Sequence, residues 1–113
     1  MTNISDLTLG QLQQLGQLVA PQAPAAQQDV WQVGKTYLIR TVTMIDTGRL
    51  VAVTPQELVL EDAAWIADTG RFADALTNAE FAEVEPFPPG RVIIGRGSIV
   101  DAVEIKKAPR SQK

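Results

Sequence analysis

Two short runs in this 113-residue chain carry residue types that acid–base chemistry uses: Asp46-Thr47-Gly48-Arg49 and Asp68-Thr69-Gly70-Arg71, each directly after apolar residues. A carboxylate held beside a second carboxylate can share one proton with it and activate a water. The same letters are also turn chemistry, because Asp and Thr side chains bond to nearby backbone and Gly supplies the positive φ of a tight reversal. The two copies start 22 residues apart, too close for each to anchor a lobe of its own. A shared-proton site would therefore need two copies of the chain.

Asp-Thr-Gly resembles the catalytic tripeptide of aspartic proteases, and Ile93-Ile94-Gly95-Arg96 resembles the apolar-apolar-Gly run that supports that loop in retroviral-type enzymes. In those enzymes the residue after Gly is small, whereas Arg49 and Arg71 stand there in this chain, and no Gly-rich flap follows. The turn reading is preferred, with Asp46 in a hairpin reversal and Asp68 at a helix entry. The chain has no Cys and no His, which removes thiolate nucleophiles, Ser-His pairs, disulfides and Cys/His metal sites. Glu61-Asp62 and Glu83-Val84-Glu85 could meet a hard cation but match no defined loop spacing. Gly95-Arg96-Gly97 lacks the spacing of a phosphate loop. The expectation is a non-enzymatic protein without catalytic, metal or cofactor residues.

The elements that carry these residues fall into three parts. Residues 1 to 34 contain no Lys or Arg and read as an arm: Leu12, Leu15, Leu18 and Val19 recur at helical spacing over about residues 6 to 19, followed by a Pro/Ala/Gln linker. Residues 35 to 106 have β texture. Tyr37 to Ile45, Arg49 to Val53 and Glu57 to Glu61 predict a three-stranded meander broken at Thr54-Pro55-Gln56. Asp62 to Ile66 and Arg71 to Leu76 predict two short helices, Phe81 to Phe87 an edge strand, and Arg91 to Ile94 and Ser98 to Lys106 two last strands. Residues 107 to 113 form a basic tail. The fold class expected is mainly β: a small five- to six-stranded barrel with two short inserted helices, plus a helical N-terminal arm and an extended linker.

One domain suits this length, and 45% hydrophobic content supplies its core. No apolar run reaches the ~20 residues a membrane helix needs, so a soluble, unsecreted product is expected. Net charge is −3, with eight acids against Arg71 alone between residues 57 and 85 and a basic end at Lys106, Lys107, Arg110 and Lys113. Such polarity suits docking to a protein partner or another copy, and it disfavours nucleic acid, which asks for a basic face across the whole domain. Trp65, Phe72 and Phe81 read as plugs over one barrel end, and Trp31 as the anchor where arm meets domain.

The segments Gly48 to Val53, Glu57 to Ala63 and Ile94 to Val100 are similar to the two motifs of Sm-like small barrels. That resemblance implies a bent-sheet barrel, and a ring of subunits paired edge to edge. The family's Asp and Asn on the base-binding loop are absent around Thr54 to Glu57, so its RNA site does not carry over. The run Leu58 to Phe72, with Thr47 to Val51 before it, also resembles a family of small phage- and prophage-associated proteins to which no reaction is attached. It implies a virion component. Together these give the functional expectation: a phage capsid cement or decoration protein, found in the virion or in the host cytoplasm before assembly. Its partners would be capsid or other assembly subunits and itself. Leu12, Leu15, Leu18 and Trp31 would serve as anchors, and Lys106, Lys107 and Arg110 as electrostatic contacts. The alternatives are an Sm-like small-barrel module binding RNA or peptide, and a dimeric aspartic protease.

Overall fold

A computed structural model describes residues 29–113, and Trp31–Lys113 form one compact unit. Six antiparallel strands make a single sheet: β1 (Thr36–Thr41), β2 (Ile45–Val53), β3 (Glu57–Asp68), β4 (Glu83–Pro86), β5 (Val92–Gly95) and β6 (Ile99–Glu104). One α-helix, α1 (Phe72–Asn78), lies between β3 and β4, and a 3-10 turn (Arg96–Ser98) joins β5 to β6. The leucine arm and linker of the sequence reading, with Leu12, Leu15 and Leu18, lie outside the described residues.

The sheet runs β4-β3-β2-β1-β6. Since β2 occupies one edge of β3, the other edge is shared, with β5 along Glu57–Leu60 and β4 along Ala64–Asp68. A β-bulge divides β3 between these partners. Thr47 faces Ala64 while Arg49 faces Glu61, so Gly48 alone spans Asp62 and Ala63, and Asp62 takes a left-handed φ of 52°. The extra residue keeps Leu58, Leu60 and Ala63 on one face and turns Ala64 and Ile66 to the other.

Each face therefore has its own core. On the first face, Tyr37, Ile39, Leu50, Leu58, Leu60, Ala63 and Ile94 are buried together, with Val92, Ile99 and Ala102 packed alongside. On the opposite face Leu38, Ala64 and Ile66 meet Ala75 of α1, Phe81, Val84 and Ile105. This second core explains why the strands carry apolar residues on both sides. Each fully buried Leu or Ile contributes about 1.5–3 kcal/mol.

Three expectations are corrected. The sheet is not closed into a barrel: β5 and β6 do not pair, because the 3-10 turn between them ties instead to the hairpins, Val42 N–H donating to Ser98 O at 2.9 Å and Arg96 N–H to Gln56 O at 2.9 Å. The first of the two inserted helices, Asp62 to Ile66, is the second half of β3. Its Ala-rich sequence favours helix, but pairing with β2 on one edge and β4 on the other satisfies its backbone and buries Ala63, Ala64 and Ile66. The second helix is present as α1, which ends where Ala79 adopts φ 55°.

The third correction concerns the first reversal. Asp46-Thr47-Gly48 does not turn the chain; it lies inside β2. The turn is at Val42–Met44, where the Thr41 hydroxyl accepts the Met44 N–H at 3.0 Å and the Thr41 N–H donates to Met44 O at 2.8 Å. Thr54 builds the next reversal the same way, its hydroxyl accepting the Glu57 N–H at 2.9 Å.

Candidate functional site

Large apolar side chains stand in the open at the tip of the β1–β2 hairpin, where Val42 is 73% exposed and Met44 51%, and on β3, where Trp65 is 41% exposed. Met44 and Trp65 wall a recess of about 520 Å³ completed by Thr43 and the Glu85-Pro86-Phe87-Pro88 segment. A second hollow of about 380 Å³ shares Thr43, Met44 and Trp65 and opens towards Arg40 and Ile66.

Local sequence places these walls. Trp65 follows the bulge in β3, where the alternation set by Ala63 points it to the first face. Past Pro86 the chain leaves the sheet, and Phe87 is held by its N–H donating to Ala63 O at 2.9 Å. Pro86 closes β4 opposite Ala64, and Pro88 and Pro89, having no N–H, cannot carry the ladder beyond Phe87. A solvent-exposed apolar patch of this kind is costly to keep and is typical of a surface that another molecule covers.

Behind the recess the register aligns Ile39, Asp46, Trp65 and Glu85 across β1, β2, β3 and β4. Directly opposed residues share a face, so Asp46 stands on the first face between Ile39 and Trp65. It is 7% exposed and its Oδ1 has no hydrogen-bond partner; the Oγ1 of Thr47, facing the opposite core, is also buried without one. Burial pushes the Asp46 carboxyl above its ordinary range. Asp68 is on the surface, its Oδ1 accepting the Gly70 N–H at 2.8 Å. The two motif carboxylates thus occupy different environments at different places in one subunit.

The other charged groups of β1 and β2 are engaged with acids on the neighbouring strands. Arg49 lies 3.6 Å from Glu61 and 3.5 Å from Asp62, neutralising the bulge acids. Arg40 grips Asp101 across β1 and β6, Nε donating to Oδ1 at 2.7 Å, and lies 5.5 Å from the Phe72 ring centroid. That hydrogen bond holds the Asp101 carboxyl below its ordinary range. Among the described residues no three acidic side chains gather into a metal-binding group, and no helix is long and apolar enough to cross a membrane.

The residues named as partner contacts separate. Trp31 packs on the first core with its ring edge-on to Tyr37, centroids 5.1 Å apart, while Gln32 N–H donates to the Tyr37 hydroxyl at 3.0 Å. Lys106 and Lys107 are exposed. Arg110 Nη1 donates to Ala63 O at 2.8 Å, so part of its guanidinium is spent within the subunit. Of the three aromatic plugs only Phe81 is buried; Trp65 and Phe72 are about 40% exposed. The recess residues Met44, Trp65 and Pro86 to Pro88 were missed as a site. The one available signal was the apolar surplus on both strand faces, and it does not say which surplus residue stays uncovered.

Compared against protein-family models and against curated proteins, the chain matches none of them.

Proposed function

We propose that this protein is a non-enzymatic interaction protein that docks on another protein subunit through the Trp65 recess, most concretely as a phage capsid cement or decoration protein. The observation that carries the reading is the exposed set Val42, Met44 and Trp65 beside the Pro86–Pro88 wall. A module of this size binds a repeating shell tightly only if its contact area is extended, and residues 1 to 29 would supply that by reaching to a neighbouring subunit through Leu12, Leu15 and Leu18.

The test has two parts. Trp65→Ser with Met44→Ser should leave the melting temperature within a few degrees of wild type and abolish co-sedimentation with assembled particles. Retained co-sedimentation would sink the recess. Mass spectrometry of particles made by the encoding genome should find the chain at a fixed ratio to the main shell protein. Its absence from the particles would remove the capsid assignment.

A further inference from the structure

The basic end of the chain is part of the folded unit. After β6, Ile105 is buried in the second core and its N–H donates to Thr36 O at 3.0 Å. Arg110 is fixed on Ala63 O, and Lys113 exchanges two backbone hydrogen bonds with Val84 at 3.0 Å each, extending the outer edge of β4. Residues 105–113 thus form a strap pinned at three points. Beneath it is a hollow of about 260 Å³ whose floor includes Phe81 and Val84 and whose rim carries Lys107, Arg110, Ser111 and Lys113. No acidic side chain is in its lining. Among the described residues neither Lys107 nor Lys113 enters a salt bridge.

We infer that this hollow is an anion-accepting subsite that takes one Asp or Glu side chain, with an apolar neighbour, from a protein partner. The inference rests on the interaction reading above and names the chemistry of a second contact. Size favours a single side chain, since small-molecule and cofactor pockets start at about 300 Å³. Charge disfavours a phosphate polymer. Nucleic acid needs cations spread along a track, whereas the adjoining hollow, which shares Phe81 and Lys113, contains Asp74 and Glu80. An isolated carboxylate meets cations only; a long polyanion would also meet these acids. Pinning of the strap backbone means that little ordering entropy remains to be lost on binding, and the apolar floor strengthens the attraction by excluding water from one side.

The test is an NMR titration of the full chain with the blocked peptide acetyl-Leu-Glu-Phe-amide, its Gln counterpart, and inorganic phosphate. The Glu peptide should give saturable shifts at the amides of Phe81, Val84 and residues 107–113. The Gln peptide should bind about tenfold more weakly, the loss of one charge-assisted hydrogen bond. Lys107→Ala with Lys113→Ala should abolish the response while the amide spectrum of the sheet stays dispersed. Equal response to both peptides, phosphate binding as tightly as the Glu peptide, or no saturable shift at these amides would each overturn the inference. Trp65→Ser should leave the titration unchanged. Failed peptide binding together with Trp65-dependent co-sedimentation would sink this subsite alone; the reverse pair would sink the recess alone.

Discussion

The same tetrapeptide occupies two unlike regions of this molecule. In Asp46-Thr47-Gly48-Arg49 it is the interior of a central strand: Asp46 and Thr47 are buried, Arg49 serves the bulge acids, and the backbone of Gly48 is not in the positive-φ region. In Asp68-Thr69-Gly70-Arg71 it is a surface turn into α1: Asp68 binds the Gly70 N–H, Gly70 has φ 67°, and Arg71 takes the extended N-cap position. Gly is needed in both places for different reasons. At Gly48 a Cβ would stand 3.0 Å from both Cβ and Cδ1 of Leu60 and 3.3 Å from the Ala63 Cα, whereas at Gly70 the contact is an ordinary 3.4 Å and the backbone angle decides. Flanking sequence, and not the motif, selects the outcome.

Three pairs of substitutions test that contrast, in falling order of effect. Gly48→Ala should cost about 2–3 kcal/mol by overpacking the bulge, and Gly70→Ala about 1–2 kcal/mol through its left-handed backbone; chemical denaturation of both variants checks the order. A Gly70→Ala loss equal to or larger than that of Gly48→Ala would mean that the close approach under β3 is softer than the geometry says.

Thr47→Val removes a buried hydroxyl without a partner and should stabilise by about 1 kcal/mol. Thr69→Val loses only an exposed bond to Gly70 O and should change stability by less than about 0.5 kcal/mol.

The aspartates differ in sign. Burial raises the Asp46 carboxyl, so its charged form opposes folding. The native state escapes that penalty at pH below the unfolded carboxylate range and incurs it as pH rises through the raised value. Asp46→Asn should therefore match wild type in acid and exceed it at neutral pH by about 1 kcal/mol, a difference that urea melts across pH would follow. Asp68→Asn should lower stability by a few tenths of a kcal/mol at most, since an amide oxygen can still accept the Gly70 N–H. A wild-type profile that rises with pH relative to Asp46→Asn would show that the buried carboxylate finds a partner.

Exposed Trp65 gives a contrast within β3 itself. Ala63, Ala64 and Ile66 are covered, and the residue between them is not. Trp65→Ser should therefore change stability by no more than about 1 kcal/mol, well below the 3–5 kcal/mol typical of a buried Trp.

Periodicity and turn residues in the sequence were enough to place β1, β2, the first half of β3, α1, β4 and the last two strands, because side-chain alternation and local hydroxyl-to-backbone bonds act over a few residues. The break at Thr54 was legible for that reason. The reversal at Thr41–Met44 was not, since Thr41 reads as one more β-branched residue until its hydroxyl is seen accepting the Met44 N–H. Tertiary structure alone decided the rest. It made a strand of Asp62 to Ile66, left the sheet open between β5 and β6, folded the basic end into a strap, and left Trp65 rather than Phe81 in solvent. Each of these depends on which distant backbone or side chain arrives to satisfy a hydrogen bond or cover an apolar surface, and pairing at that distance is written in no single segment.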